Sequence, residues 1–577
     1  VGSVQSGMPE HTHQTCTEVK LPALTLENPQ LWSCESPQLY NAEVVVTADG
    51  MVVDSLTEQF GIRSLEFSPE FGFKLNGKKI FLQGNANHHD LGALGATCYD
   101  KAIERMMLQL KSFGYNCIRC SHNPYSDSFA RIADRVGILV VDELTDKWSD
   151  NDYWGGRQPF THIWHKLITE WIKRDRNRPS IILWSLGNEL QIREGWAGFE
   201  GTNDWGITTY NIFNQLVKRW DHTRLTTVAM FPARAGAITR HDKEFNDYLV
   251  PPELACATEV ASFNYQSDKY DAYLKYRPDL ILFQSEAETS NLLQPYYNMD
   301  KERMVGIAYW GSVEYWGESN KWPKKGWNYS FFEHTMRPYP QAYLIKTAFM
   351  PEIPEVHIGV VDAAGAESVS WNDVIVGRMA LNECWNHTPG SRRSLFTFTN
   401  AHSVELLVNG QSMGIQKNDT TRANLRNMIY WKDVPYGNGG SVVAIARDKS
   451  GKEVARHRIE TAGKAVALRI EAETPTDWKA DGMDLQYINV TVIDKKGRPV
   501  WDYNEPLTLQ MEGAARLVAL DNGDHYTDEL FHGITSKRMY QGRMQIILRS
   551  DQEAGNVTVK ISSAGLKGTL RLKTIKE

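Results

Sequence analysis

The chain has 577 residues, which is too many for a single hydrophobic core, so several domains are expected. Hydrophobic residues make up 42% and charged residues 23% of the sequence, proportions that are ordinary for a soluble globular protein. The net charge of -7 at pH 7 argues against nucleic acid or an anionic membrane as the main partner, and no apolar run is long enough to span a bilayer.

The first 70 residues predict the end of a β-sandwich rather than a complete domain. A strand-like segment begins at Tyr40, and a turn at Asp49-Gly50 separates it from a second one, which is a hairpin pattern. Two or three strands cannot bury a sandwich core by themselves. The chain also opens at Val1 without an initiator Met or a signal-like segment. We therefore expect residues 1–70 to be the C-terminal part of a β-sandwich in a chain whose start is truncated.

Residues 71–350 alternate between strand-like and helical segments. Apolar spacings of three and four predict a helix from Asp100 to Phe113, with Asp100 as its N-cap and Gly114 as its C-cap. Eight strands with intervening helices over roughly 250 residues fit a (β/α)8 TIM barrel. The predicted strands are 80–84, 116–120, 138–142, 181–185, 225–229, 260–264, 280–283 and 305–309.

After residue 350 the helical pattern stops, and short strand-like segments separated by turns take its place. The segment 404–408 leads into an Asn409-Gly410 turn, which is typical of a hairpin. A break near 461–464 precedes a second series of strands. We therefore expect two accessory β-sandwiches, at 351–465 and at 466–577.

Two short apolar runs in the barrel region end on a glutamate. The run 180–189 closes on Asn188-Glu189 after the fourth predicted strand, and the run 280–286 closes on Glu286 after the seventh. A carboxylate at the C-terminal end of a barrel strand points into the active-site mouth. Two such carboxylates can serve as the acid and the nucleophile of glycosidic bond cleavage. The alternative is a surface charge or a neighbour of a helix N-cap, and two glutamates in one barrel pattern weigh against it.

Other strand ends supply polar and aromatic groups. Arg119 is suited to keep a nucleophilic carboxylate ionised, or to form an ion pair inside the barrel, and the two roles are compatible. The histidines lack the regular spacing of a metal site, which favours contacts to substrate hydroxyls or packing behind them. Flat aromatic faces near strand ends can stack on sugar rings. The candidates for substrate binding or support are His88, His89, Arg119, His122, Asp142, Asn188, Tyr265, Trp310, Glu314 and Trp316.

These segments together resemble glycoside hydrolase family 2, the group of β-galactosidases, β-glucuronidases and β-mannosidases. The run from Arg174 to Glu189 is similar to the family's acid/base motif, and the run from Asn116 to Pro124 is similar to its strand 2 Arg-x-x-His motif. The runs 137–143, 60–63 and 400–410 resemble its strand 3, the end of its immunoglobulin-like domain and its accessory sandwich. The resemblance covers essentially the whole chain and implies a central TIM barrel flanked by immunoglobulin-like β-sandwich domains.

The resemblance also implies roles for individual residues. Glu189 corresponds to the general acid/base and Glu286 to the nucleophile of a reaction that retains configuration. Asn188 corresponds to the residue that binds the 2-hydroxyl of the sugar. Tyr265 and Arg119 correspond to groups that support the nucleophile, and Trp310 forms part of the floor of the sugar subsite.

Two stretches depart from the family pattern. The residues after the strand 3 Asp-Glu are Leu144 to Trp148, where metal-dependent β-galactosidases carry Glu-x-His, so we expect no catalytic magnesium and no other cofactor. The stretch Pro323 to Gly326 has Pro where β-glucuronidases carry the Asn of Asn-x-Lys-Gly, which counts against a glucuronidase without excluding one.

The sequence therefore predicts a retaining exo-β-glycosidase that acts on a carbohydrate, with a β-galactosidase as the first hypothesis. The alternatives within the enzyme class are a β-glucuronidase, a β-mannosidase or a glycosidase for a modified galactose. A non-catalytic carbohydrate-binding protein is a more remote alternative. A periplasmic or secreted location is inferred from the substrate class, and a homo-oligomer remains open.

Overall fold

The computed structural model of the protein describes residues 2–7, 19–148, 160–190, 206–231, 250–319, 321–362, 367–371 and 374–576. A closed barrel lies at the centre, and several antiparallel sheets precede and follow it. Among these residues, no helix combines the length and the apolar character that crossing a bilayer requires.

The predicted N-terminal hairpin is present as an antiparallel pair, β1 (Tyr40–Ala48) and β2 (Met51–Phe60). Its turn residues Asp49 and Gly50 have φ angles of 52° and 79°. Positive φ at both central residues is the requirement of a tight two-residue hairpin turn. A small sheet follows, formed by β3 (Leu65–Ser68), β4 (Gly72–Leu75) and β5 (Lys78–Lys79).

The barrel consists of eight parallel strands in sequential order, and the last strand pairs with the first. The small sheet covers its N-terminal end, because Phe73 and Leu75 pack in the same core cluster as Leu82, Leu139 and Val141 of the barrel interior. The barrel strands are β6 (Leu82–His88), β7 (Cys117–Ser121), β8 (Leu139–Glu143), β9 (Ile181–Asn188), β10 (Leu225–Met230), β11 (Val260–Asn264), β12 (Leu282–Ala287) and β13 (Gly306–Trp310).

Helices surround the barrel and bury their apolar faces against its strands. In the first helix the N-cap is Tyr99, so the prediction of Asp100 at that position is wrong. Asp100 lies in the first turn, where its charge is also favoured by the helix dipole. The described helices are α1 (Asp100–Ser112), α2 (Asp127–Val136), α3 (Phe160–Asp175), α4 (Ile207–Trp220), α5 (Glu253–Ala257), α6 (Tyr270–Tyr276), α7 (Leu293–Asn298) and α8 (Ala342–Phe349).

A short hairpin, β14 (Tyr315–Trp316) and β15 (Gly326–Trp327), lies in the long loop after β13. The first accessory sandwich then packs two four-stranded sheets around a core that includes Trp385 and Trp431. Its strands and the neighbouring pair β17–β18 are β16 (Val356–Val361), β17 (Glu367–Trp371), β18 (Val374–Arg378), β19 (Leu381–Asn382), β20 (Arg392–Thr399), β21 (Ser403–Val408), β22 (Gln411–Lys417), β23 (Met428–Pro435), β24 (Ser441–Arg447) and β25 (Glu453–Glu460).

The C-terminal sandwich also has two four-stranded sheets, and its core includes Trp478 and Leu520. One face of this domain packs on the barrel, because Tyr487 and Ile547 share a buried cluster with Ala93 and Leu94 from the loop after β6. Its strands are β26 (Ala465–Ala472), β27 (Leu485–Asp494), β28 (Pro506–Gly513), β29 (Ala515–Asp521), β30 (Ser536–Arg538), β31 (Arg543–Ser550), β32 (Asn556–Ser563) and β33 (Leu566–Lys573).

Candidate active site

Both candidate glutamates lie at the C-terminal ends of barrel strands, as the strand count predicts. Glu189 directly follows β9, the fourth barrel strand, and Glu286 lies near the end of β12, the seventh. They are 5% and 3% exposed. Glu189 has a φ angle of 47°, and its backbone N–H donates to the carbonyl of Ala229 on β10 at 2.7 Å. A non-glycine residue in this region of φ is strained, and such residues cluster at functional sites.

Two donors hold the carboxylate of Glu286. Arg119 Nη1 donates to Oε1 at 2.6 Å, and the hydroxyl of Tyr265 donates to Oε2 at 2.8 Å. Burial raises the pKa of Glu286 above its ordinary value, and the guanidinium of Arg119 and the Tyr265 hydroxyl limit that rise. Hydrogen bonds to the charged form of a carboxylate favour that form. This pair of donors therefore fixes both oxygens of Glu286 and supports its ionised state.

Arg119 is shared between two carboxylates. Its Nη2 donates to Glu143 Oε2 at 2.8 Å, and its Nε donates to the same oxygen at 3.1 Å. Burial lowers the pKa of Arg119, but the charges of Glu143 and Glu286 outweigh burial and raise it. Ser185 adds a third donor to Glu143, at 2.6 Å. The guanidinium is thus locked in one orientation, with Nη1 aimed at Glu286.

His122 lies beside this ion pair as a neutral ring. Burial lowers its pKa well below the ordinary value of a histidine. Its Nδ1 is 2.6 Å from Glu143 Oε1, and its Nε2 is 3.2 Å from the amide nitrogen of Asn188. Since Glu143 can only accept, the ring proton belongs on Nδ1, and Nε2 accepts from Asn188. His122 therefore links Glu143 to the residue that precedes Glu189.

A chain of hydrogen bonds connects the two glutamates. Arg119 Nη2 donates to Asn188 Oδ1 at 3.0 Å, and Asn264 Nδ2 donates to the same oxygen at 3.0 Å. Asn264 Nδ2 also donates to Glu189 Oε1 at 3.0 Å. The connection Glu286–Arg119–Asn188–Asn264–Glu189 is therefore continuous. A network of this kind holds reacting groups in place before the substrate arrives.

Aromatic rings form one wall of the site. The His122 ring stacks on Trp310 with centroids 5.2 Å apart and an interplanar angle of 6°. His88 contacts Trp310 and Tyr315 edge-on, each with centroids 5.0 Å apart. The predicted residues His88, His122 and Trp310 are thus brought together at the ends of β6, β7 and β13. Their rings offer the flat apolar surface that a sugar ring requires.

Two predicted residues face away from the two glutamates. The side chain of Asp142 accepts from Trp171 Nε1 of α3 at 2.6 Å, so it lies on the outer face of the barrel strand. His89 Nε2 is 2.6 Å from the carbonyl of Thr97, and its ring packs against Tyr125. Both contacts are structural, and the prediction that these residues belong to the site is corrected accordingly.

Glu314 and Trp316 are drawn toward the C-terminal sandwich instead of the sugar pocket. Glu314 accepts from His334 Nδ1 at 3.0 Å and from the Tyr339 hydroxyl at 2.7 Å. Trp316 stacks on His525, with centroids 4.8 Å apart and an interplanar angle of 13°. The positions of Glu314 and Trp316 therefore do not match the prediction that these residues contact the sugar.

Sequence reasoning missed three members of the network, Glu143, Asn264 and Asp146. Glu143 is the last residue of β8 and Asn264 is the last residue of β11. The strand-end position that identified the other members of the network could therefore have identified these two as well. Asp146 accepts from Asn188 Nδ2 at 3.0 Å and lies beside the ammonium group of Lys147, with an N···O distance of 2.5 Å. This ion pair occupies the stretch that was predicted to lack a magnesium site.

Clusters of metal-type ligands occur elsewhere among the described residues. One consists of Glu314, His334 and His525, and the other of His357, Glu383 and His457. Neither cluster includes Glu189 or Glu286, so neither takes part in the network described above.

Comparison with known proteins agrees with this geometry. The sequence matches "Glycosyl hydrolases family 2, TIM barrel domain" over residues 70–301. It also matches "Glycosyl hydrolases family 2" over 2–63, "Glycoside hydrolase family 2 C-terminal domain 5" over 468–570 and a domain of unknown function over 390–455. The matches therefore extend from the N-terminal hairpin to the C-terminal sandwich.

Individual relatives differ in the sugar that their names specify. The chain is 27% identical to beta-galactosidase BoGH2A of Bacteroides ovatus, over 94% of this chain and 67% of that protein. It is 42% identical to a putative beta-glucuronidase of Formosa agariphila, over 98% of this chain but only 55% of that protein. A family 2 structure from Bacteroides cellulosilyticus superposes with a TM-score of 0.79 at 30% identity, over 94% of this chain and 68% of that one. The chain belongs to glycoside hydrolase family 2.

Proposed function

We propose that the protein is a retaining exo-β-glycosidase whose first substrate class is β-galactosides. The observation that carries this proposal is the arrangement of Glu286, whose two oxygens are held by Arg119 and Tyr265. The hydrogen-bonded connection to Glu189 gives this nucleophile an acid/base partner on a different strand. The positive charge of Arg119 beside Glu286 favours the ionised form that a nucleophile requires.

The reaction proceeds in two displacements. In the first, a carboxylate oxygen of Glu286 forms a bond to the anomeric carbon while the glycosidic bond breaks and Glu189 gives its proton to the departing oxygen. In the second, Glu189 takes a proton from water, and the water oxygen attacks the anomeric carbon and releases Glu286. Two inversions at the same carbon leave the product with its original β configuration.

The side chains around the aromatic wall favour a neutral sugar. Glu318 is a carboxylate at the rim, where Oε1 is 3.9 Å from His88 Nε2 and Oε2 accepts from the Tyr315 hydroxyl. A negative charge at this position repels a substrate carboxylate and can accept from sugar hydroxyls. The similarity to the Bacteroides ovatus beta-galactosidase supports the same choice.

A β-glucuronide is the second candidate, and one observation favours it. The Nζ atom of Lys325 is enclosed and has no hydrogen-bond partner among the described residues. It lies over the ring of Trp322, 5.3 Å from the centroid, in the Pro323 to Gly326 stretch. A buried ammonium group gains most from an anion, which a glucuronic acid carboxylate would supply. The 42% identity to the putative beta-glucuronidase points to the same sugar.

Initial rates on aryl β-galactoside, β-glucuronide, β-mannoside and β-glucoside test the proposal. We expect selective release from the galactoside, loss of turnover in Glu286→Gln, and a β-configured first product by NMR. Glu189→Gln should retain more of the wild-type activity on aryl glycosides whose leaving group has a low pKa than on other glycosides. Such a leaving group departs without taking up a proton. Turnover by Glu286→Gln at the wild-type rate would contradict the mechanism. Glycan binding without product release from any substrate would instead indicate a non-catalytic carbohydrate-binding protein.

The choice between the two sugars has its own test. If glucuronides are the substrates, Lys325→Met should abolish their hydrolysis, whereas Lys321→Met, at an exposed position of the same loop, should not. Selective galactoside hydrolysis that is unaffected by both variants would support the first candidate. From the substrate class we also propose a periplasmic or secreted location, which activity measurements on cell fractions and medium will test.

A further inference from the structure

A buried group of three side chains lies where the barrel meets the C-terminal sandwich. Glu314 and His334 come from the long loop after β13, and His525 comes from the loop after β29. Each of the three offers a ligand atom, and these atoms all lie within 4.8 Å of one another. The proposed glycosidase mechanism uses none of them.

His334 is oriented as metal-binding histidines usually are. Its Nδ1 is 3.0 Å from Glu314 Oε2, and its Nε2 is 2.9 Å from Asp521 Oδ1. The backbone N–H of Gly523 also donates to this oxygen of Asp521, at 3.0 Å. A carboxylate that accepts from one ring nitrogen fixes the ring and leaves the other nitrogen for a cation. Asp521 can therefore serve as the outer partner of His334.

His525 gives an independent indication of a ligand. Its side chain is only 4% exposed, yet neither ring nitrogen has a hydrogen-bond partner in the described part of the chain. The stacking on Trp316 holds the ring in one plane. A buried polar atom without a partner costs free energy, so such a group calls for a ligand.

Glu314 has one oxygen available for the same purpose. The hydroxyl of Tyr339 donates to Oε1, and Arg378 Nη1 is 3.7 Å from that oxygen. The other oxygen, Oε2, accepts from the backbone N–H of His334 at 3.2 Å and faces the ring nitrogen Nδ1 of the same residue, with a lone pair left for a cation. The positive charge of Arg378 thus lies beside Oε1, whereas a cation between the three side chains would bind Oε2.

A cavity of about 130 Å³ adjoins the group, and Glu314 and His525 are part of its wall. Carboxylates outnumber guanidinium groups in the wall, so its charge favours a cation over an anion. The carboxylate residues are Glu314, Glu333, Asp362, Glu383 and Asp524, and the guanidinium residues are Arg337 and Arg378. The cavity also leaves space for a water molecule as a fourth ligand.

We propose that Glu314, His334 and His525 bind one divalent transition-metal ion, with zinc as the preferred ion. Two imidazoles and one carboxylate suit zinc, whereas magnesium and calcium prefer oxygen ligands. Zinc–ligand distances of about 2.0–2.1 Å in a tetrahedron place neighbouring ligand atoms about 3.3 Å apart. The 3.0 Å separation of His334 Nδ1 and Glu314 Oε2 is close to that value. The ion replaces the proton between these two atoms and ties the C-terminal sandwich to the loop after β13.

The cluster of His357, Glu383 and His457 provides a matched control, because it has similar residues but its histidine ring protons are placed differently. His457 Nδ1 accepts from the backbone N–H of Ile358 at 3.1 Å, so the neutral ring carries its proton on Nε2. That nitrogen is the one that faces Glu383, at 4.0 Å. Arg337 Nη2 also donates to Glu383 at 2.8 Å. The lone pair of His457 Nδ1 is therefore already used by a backbone N–H, and the charge of Glu383 is already paired with Arg337, so this cluster is less suited to a cation than the first.

The test is a measurement of bound zinc in the full-length protein. The wild type, His525→Gln and His457→Gln are treated with chelator, incubated with zinc chloride, passed over a desalting column and analysed by mass spectrometry for metal content. We expect one zinc per chain in the wild type and in His457→Gln, and a loss of that zinc in His525→Gln. Zinc should raise the Tm of the wild type and of His457→Gln but not that of His525→Gln. Magnesium or calcium should raise the Tm of none of the three proteins.

Equal zinc content in all three proteins, or no zinc retained by the wild type, would overturn the proposal. Circular dichroism shows whether His525→Gln is folded. If it is not, cobalt replaces zinc in the wild type, and its visible spectrum reports the coordination. Absorption typical of tetrahedral cobalt supports the site, and the spectrum of hydrated octahedral cobalt overturns it.

Discussion

The hydrogen bond from Tyr265 to Glu286 provides a sharp test of the proposed mechanism. Burial, together with the charge of Glu286, raises the pKa of Tyr265 well above its ordinary value, so its hydroxyl keeps a proton to donate. The φ angle of Tyr265 is 58°, and its backbone N–H donates to the carbonyl of Glu286 at 2.8 Å. The residue is therefore tied to β12 through both its backbone and its side chain.

Replacement of Tyr265 by Phe removes this donor and retains the ring. A hydrogen bond to a charged group contributes about 1.5–3 kcal/mol. If the whole contribution is lost in the transition state, kcat/KM falls roughly 10- to 150-fold. Loss of the donor also raises the pKa of Glu286, because a hydrogen bond to the charged form lowers it. Since Glu286 must be ionised to attack, the acid limb of the pH–rate profile should move to higher pH.

The assay is the pH dependence of kcat/KM on the aryl glycoside that the wild type cleaves best. Tyr270→Phe is the matched control, because its buried hydroxyl donates to Gln284 Oε1 at 2.7 Å and not to Glu286. We expect Tyr270→Phe to keep the wild-type kcat/KM and the same acid limb. A decrease below about threefold in Tyr265→Phe, with an unchanged acid limb, would show that the Tyr265 hydroxyl does not support Glu286 in the reaction. An equal decrease in both variants would do the same.

Three further predictions concern other parts of the molecule. Asn264→Ala removes a donor that orients Glu189, so kcat/KM should fall roughly 10- to 100-fold in rate assays on the folded variant. Asp221→Asn leaves the buried Arg224 without its carboxylate and should destabilise the protein by about 3–5 kcal/mol at neutral pH. Burial raises the pKa of Asp221, but Arg224 and the hydrogen bonds from Thr223 together outweigh burial and lower the pKa to about 2. The contribution of Asp221 to folding stability is therefore complete above its ordinary pKa of 3.8 and is lost as the pH falls toward 2. In calorimetry, the Tm difference between Asp221→Asn and the wild type should shrink over that pH range. Trp32→Ala should cost about 3–5 kcal/mol in denaturant unfolding, because the ring is fully buried and its Nε1 donates to the carbonyl of Asp134. The activity of the folded Trp32→Ala variant should be unchanged.

The alternation of strands and helices was sufficient to predict the barrel, but the strand ends were harder to predict. The first barrel strand was predicted to end at Gly84, whereas β6 continues to His88. The added residues, 85–88, are mostly polar, and a pattern based on hydrophobicity stops where such residues begin. In a barrel these polar residues continue the ladder because they line the active-site mouth instead of the core.

The positions of the two glutamates followed from the strand count, but the orientation of Asp142 and Glu143 did not. Residues 138–141 are all apolar, because a parallel barrel strand is buried on both faces. Such a run does not reveal which of two successive side chains points inward, and a shift of one residue exchanges the two faces. The structure places Glu143 on Arg119 and Asp142 on Trp171.

Glu314 and Trp316 could not be placed from the sequence for a different reason. Their partners in the C-terminal sandwich are about 200 residues away in the chain, and local patterns carry no information about such contacts. His525 stacks on Trp316, and Asp521 reaches Glu314 through His334. The group proposed to bind zinc is thus visible only in three dimensions.

In the proposed mechanism, Glu286 forms a covalent bond to the sugar. The most direct test of this step uses activated 2-deoxy-2-fluoro derivatives of galactose and of glucuronic acid, in which the fluorine slows release of the glycosyl-enzyme. After incubation, the protein is digested and the labelled peptide is sequenced by mass spectrometry. We expect one of the two sugars to be attached to Glu286, with loss of activity in proportion to labelling. Attachment to another residue, or no attachment in a protein that turns over the matching aryl glycoside, would contradict this mechanism.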